Sequence, residues 1–73
     1  MESERNKQIA ISVLQGMTYE NVGIKHDISR ERVYQITRRV LNRVDPEAAK
    51  NYNIRVLRMD RNRLINKISK IGR

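Results

Sequence analysis

Arginine and glutamine side chains a few residues apart on one helix are equipped to read base edges, because a guanidinium forks onto guanine and a carboxamide onto adenine. Arg30, Arg32, Gln35 and Arg39 have that composition and spacing. Glu31, between two of them, can accept from a cytosine amino group or orient a neighbouring arginine. Arg38, Arg43, Lys25 and the Thr18 hydroxyl suit phosphate oxygens, contacts that set register without carrying sequence information. Tyr34 falls in the same run and offers either a surface ring or the kind of anchor tyrosine supplies at interfaces.

Little other chemistry is available. The chain has 73 residues, no cysteine and one histidine, His26, so disulfides and thiolate metal sites are excluded and no metal or other cofactor is expected. No pair of carboxylates sits in an apolar setting, no Ser, His and Asp grouping has plausible geometry, and three scattered glycines form no phosphate loop. A catalytic role is therefore not expected. His26 and Tyr19 suit packing positions better than ligand positions.

Sixteen Lys and Arg against eight Asp and Glu give a net charge of +8, which favours a polyanion or an acidic protein surface. The charge is uneven: residues 1–53 carry nine bases and seven acids, whereas residues 54–73 carry seven bases and one acid. The longest apolar run, Ile9 to Leu14, is interrupted by Ser12 and is too short to span a bilayer. The opening Met1-Glu2-Ser3-Glu4 lacks a secretory signal's basic start, so a cytoplasmic location is expected.

The elements that must position the arginine run follow from periodicity and caps. Ile9, Ala10, Val13 and Leu14 form one stripe of a first helix over residues 5–15, with Gly16 as its stop. Thr18 caps a short second helix, and Ser29 caps a third after a tight joint at Asp27 and Ile28. Two helices joined so closely must cross steeply, as in a helix-turn-helix. Val33, Ile36, Val40, Leu41 and Val44 give the third helix its core stripe, which leaves the arginine run on the other side. Asp45-Pro46-Glu47 ends it and can start a fourth.

Leu57, Leu64, Ile68 and Ile71 continue at helical spacing, but Arg61 interrupts them and like charges crowd the segment. Residues 54–73 are expected to form a basic C-terminal arm, a helix that is frayed or disordered when free, carrying Arg55, Arg58, Arg61, Arg63, Lys67, Lys70 and Arg73. The fold class is all-α: a small helix-turn-helix bundle of three to four helices with this basic, partly flexible C-terminal arm, residues 1–53 forming the helix-turn-helix domain and 54–73 the arm.

The stretch from Thr18 to Ile36 resembles the helix-turn-helix of region 4 in primary bacterial sigma factors, most specifically in Ile28-Ser29-Arg30-Glu31-Arg32-Val33 and Gln35-Ile36. The resemblance covers about residues 17–44. It implies a recognition helix that contacts the −35 promoter element through Arg30, Glu31, Arg32, Gln35 and Arg39, and a module that grips the flap of the RNA polymerase β subunit. Two positions depart from the family pattern: Tyr34 stands where another arginine is common, and Ile24 where the second helix is usually polar. An exposed apolar residue points to protein contact, so Ile24 is a candidate partner contact. The size and layout also resemble small phage-encoded inhibitor and antitermination proteins of the Xanthomonas-phage type. That likeness implies binding to host bacterial RNA polymerase, suppression of promoter initiation and read-through of terminators, with DNA or RNA as a further partner. A monomer without membrane association is expected. The rival expectation is a sequence-specific DNA-binding repressor or activator.

Overall fold

The computed structural model describes residues 3–71, which form α1 (Glu4–Leu14), α2 (Tyr19–His26), α3 (Arg30–Val44), α4 (Pro46–Lys50), α5 (Ile54–Met59) and α6 (Arg61–Ser69). Side-chain oxygens start the first four. Ser3, Thr18, Ser29 and Asp45 accept from the amides of Asn6, Asn21, Arg32 and Ala48 at 3.0–3.3 Å, and so satisfy donors that a helix N-terminus leaves without intrahelical partners. Asn53 does the same for α5, accepting from the Arg55 amide at 3.1 Å.

Left-handed residues end the first two helices. Gly16, at φ 114°, lets the Met17 amide reach back to the Ser12 carbonyl at 3.2 Å and closes α1. Asp27, at φ 58°, plays that part for α2, where the Ile28 amide reaches the Gly23 carbonyl at 2.9 Å. Aspartate tolerates this region better than most side chains, so the turn forms without a glycine.

α3 is the central rod. It packs against α1, α2, α4 and α6, and buries Val33, Ile36, Thr37, Val40 and Leu41, with Val44 half-buried. The Thr37 hydroxyl donates to the Val33 carbonyl at 2.8 Å, which makes its burial inexpensive. Ile9, Ala10, Val13 and Leu14 of α1 face this rod, all without exposed surface.

The expected count of three to four helices is too low: six are present among the described residues. The C-terminal stripe is divided at Asp60 into two short helices, so Arg61 falls at a helix start rather than in the middle of one buried face. Leu57, Leu64, Ile68 and Ile71 enter the same core as α1 and α3. Fully burying a leucine or isoleucine contributes about 1.5–3 kcal/mol, enough for a few such residues to dock a pair of short helices. Arg58 strengthens the junction, its guanidinium donating at 3.1 Å each to the Met17 carbonyl and to the Val13 carbonyl, which also accepts from the Gly16 amide. Lys7 ties α1 to the other end of the segment through the Ile71 carbonyl at 3.1 Å.

Among the described residues, no helix is long and apolar enough to cross a membrane. Among the described residues, no group of three or more His, Cys, Asp or Glu side chains is placed to hold a metal ion.

Candidate nucleic-acid interface

The joint between α2 and α3 sets how the arginine run is presented. A Cβ on Gly23 would lie 2.5 Å from the Ile28 carbonyl oxygen, so the missing side chain lets the chain turn directly over α2. The turn places Ser29 to cap α3, and Val22 and Val33 are both fully buried beneath it. The first turn of α3 then points outward.

Arg30, Glu31, Arg32, Gln35, Arg38 and Arg39 are all exposed on α3, opposite its buried stripe. Arg30 Nε donates to Glu31 Oε1 at 3.2 Å, with both side chains about 70% exposed (71% and 69%). The Glu31 carboxyl is held below its ordinary pKa, first by its own backbone amide and then by the Arg30 guanidinium, so it stays an ionised acceptor. Arg30 and Glu31 thus sit side by side at the start of the helix, where a helix-turn-helix makes its base contacts.

Tyr34 is half-buried rather than displayed. Its ring meets Tyr19 of α2 edge-on at 6.1 Å and Tyr52, in the link between α4 and α5, at 5.2 Å. The Tyr19 and Tyr52 hydroxyls are hydrogen-bonded at 2.5 Å. Burial, then the bond to Tyr19, pushes the Tyr52 phenol well above its ordinary pKa and keeps it protonated. Arg38 donates to the Tyr34 hydroxyl at 3.1 Å, so this ring orients a member of the arginine run. Periodicity gave Tyr34 no partner because Tyr52 approaches from a distant part of the chain.

Ile24 is 73% exposed on α2. Lys25 and Arg43 are also exposed, and the Thr18 hydroxyl already accepts from the Asn21 amide. His26 is half-buried, with its Nε2 shut off from solvent and without a hydrogen-bond partner.

The C-terminal basic residues divide into two groups. Arg55, Arg61 and Lys70 are exposed, whereas Arg58 is half-buried on carbonyls. Arg63 bridges Asp60 at 2.5 Å and Asp45 at 3.2 Å, and Lys67 lies 3.7 Å from Asp45. Asp45 is held below its ordinary pKa by the Ala48 amide first and by these cations after it. Arg73 lies outside the described residues. Two features were not anticipated from sequence: Lys50 faces the α3 arginines across a groove, and Val56 and Met59 are 58% and 87% exposed on α5.

Two flanking helices, a glycine-permitted joint and an outward cationic face form the α1–α3 unit, and α4–α6 brace it from behind and beside. A family model described as Sigma-70, region 4 matches residues 4–44, over half of the chain and the whole of α1–α3. No curated protein and no solved structure gives a significant match. Sigma-70 region 4 domains are non-catalytic transcription modules that contact promoter DNA and core RNA polymerase. On the match across α1–α3 and the helix-turn-helix it covers, the chain belongs to the sigma-70 region 4 family.

Proposed function

We propose that this protein is a transcription regulator that engages bacterial RNA polymerase and the DNA beside it, in the manner of a phage-encoded factor that takes over or blocks the contact of a resident sigma region 4. It suppresses promoter initiation and promotes read-through of terminators, and it works by occupancy in the host cytoplasm. The observation that carries this reading is the presence of two different exposed surfaces on one rigid unit. The α3 face of Arg30, Glu31, Arg32, Gln35 and Arg39 has the chemistry of nucleic-acid contact, and Ile24 on α2, 73% exposed, has that of protein contact.

Transcription in vitro from a sigma-dependent promoter with a downstream terminator tests it. Added protein should lower initiation and raise the fraction of transcripts that pass the terminator. Unchanged transcripts, together with no retention of the protein on purified polymerase at ~0.15 M salt, would remove the reading.

The second reading, a sequence-specific repressor or activator acting on free DNA, is favoured by the openness of the Arg30–Glu31 end of α3. A footprint on duplex DNA without polymerase, lost in Arg30→Ala and kept in Ile24→Asp, would select it.

A further inference from the structure

A groove of about 490 Å³ runs between α3 and α4. Gln35, Arg38, Arg39 and Asn42, one helical stripe of α3, form one wall, Ala49 lies at the base and Lys50 stands on the α4 side. α4 falls outside the residues matched by the family model, so Lys50 is a feature of this chain's own C-terminal part.

Charge is sorted across α4. Three cations, Arg38, Arg39 and Lys50, line the groove without a carboxylate among its lining residues. The nearby acids face elsewhere: Asp45, Glu47 and Asp60 line a separate cleft of about 250 Å³ on the other side of α4. Asp45 and Asp60 are engaged there by Arg63, and Asp45 also by Lys67. Asp45 and Asp60 are thus held on the far side of α4 from Arg38 and Lys50. Tyr34, wedged between Tyr19 and Tyr52, holds the Arg38 guanidinium at the groove wall through its hydroxyl at 3.1 Å.

We propose that the α3–α4 groove holds the sugar–phosphate backbone of the DNA strand flanking the recognition helix, with Lys50 and Arg38 as its phosphate clamp. The inference rests on α3 being the DNA-facing helix. A helix with its side chains is about 10–12 Å across and the major groove is about 12 Å wide, so phosphates must press on both flanks of an inserted helix. α4 occupies one flank of α3, and what it offers there is a lysine. Phosphate contacts of this kind fix register and carry no sequence preference.

The test uses the full chain and a short fluorescein-labelled duplex carrying a consensus sigma-dependent promoter element, with anisotropy followed across salt. Lys50→Ala and Arg38→Ala should each lower the salt slope by about 1, equally on scrambled duplex. For one lost phosphate contact, the deficit against wild type should be about 3.5-fold larger at about 0.05 M salt than at about 0.2 M. Lys50→Arg should restore the wild-type slope. Lys50 is exposed, and an unchanged helical signal and melting temperature in Lys50→Ala would exclude misfolding as the cause. A Lys50→Ala chain with wild-type slope and affinity, while Arg32→Ala binds weakly, would overturn the clamp and leave α3 as the DNA-facing helix. Loss of retention on immobilised polyglutamate by Lys50→Ala, with duplex binding intact, would overturn it in favour of an acidic protein partner. A wild-type chain that binds no duplex even at low salt would overturn the clamp together with the DNA-facing reading of α3.

Discussion

The start of α3 and the α5–α6 segment are both rich in arginine, yet the fold treats them in opposite ways. On α3 the guanidiniums of Arg30 and Arg32 lie exposed. In the C-terminal segment Arg58 is spent on the carbonyls of Val13 and Met17, and Arg63 on Asp45 and Asp60. The difference arises from what lies within reach of each, not from local charge density. The Val13 and Met17 carbonyls lie within reach of Arg58, and Asp45 caps α4 within reach of Arg63 and Lys67, so the later cations find internal acceptors. In the first turn of α3, Arg30 meets the exposed Glu31, and the exposed guanidiniums of Arg30 and Arg32 face solvent.

The largest expected effect tests whether the C-terminal half is core or appendage. Leu64→Ala removes a side chain with no exposed surface and should destabilise by about 2–5 kcal/mol in urea or thermal unfolding. A change within about 0.5 kcal/mol, typical of a surface site, would mean that α6 does not hold the core.

Next comes the contrast between the two kinds of arginine. Arg58→Ala removes charged bonds to the Met17 carbonyl and to the Val13 carbonyl, the latter keeping the Gly16 amide, and should cost about 1.5–3 kcal/mol of stability by the same measurement. Arg30→Ala should change stability by no more than about 0.5 kcal/mol while weakening binding to a specific duplex by about 1–3 kcal/mol. Equal stability losses in both variants would break the comparison.

A smaller effect is expected from acid. Asp45 and Asp60 have folded pKa values below the ordinary aspartate value of 3.8, Asp45 mainly through the Ala48 amide and Asp60 mainly through Arg63. A depressed folded pKa contributes stability that is fully present above that ordinary value and is lost as pH falls through the lower folded one. Melting temperature should therefore decline over this acidic window, and less steeply in Asp45→Asn. An unchanged slope in Asp45→Asn would detach the Asp45 carboxylate, in its cap and its bridges together, from the acid dependence of stability.

Local signals in the sequence were enough for the helix-turn-helix. Thr18, Ser29 and Asp45-Pro46 announce helix starts, Gly16 a stop, and Val33, Ile36, Val40 and Leu41 a buried stripe, because each depends on residues within a turn or two. The exposed arginine face follows from that stripe. What could not be read locally is held by long-range partners. Arg58 meets carbonyls 41 and 45 residues away, and Tyr34 meets Tyr52 from beyond α4. α5 and α6 span only 6 and 9 residues, too short for periodicity to separate them or for helix propensity to sustain them without docking. Lys50 reads as ordinary helix surface until α4 is placed beside α3.

The tyrosine cluster has an experimental consequence. The protein has no tryptophan or phenylalanine, and its three tyrosines meet where α2, α3 and the link after α4 come together. All of its intrinsic ultraviolet fluorescence therefore originates at one locus, at the hinge of the recognition unit. Any partner that pries α3 away from the C-terminal half should announce itself in that emission, without an attached dye.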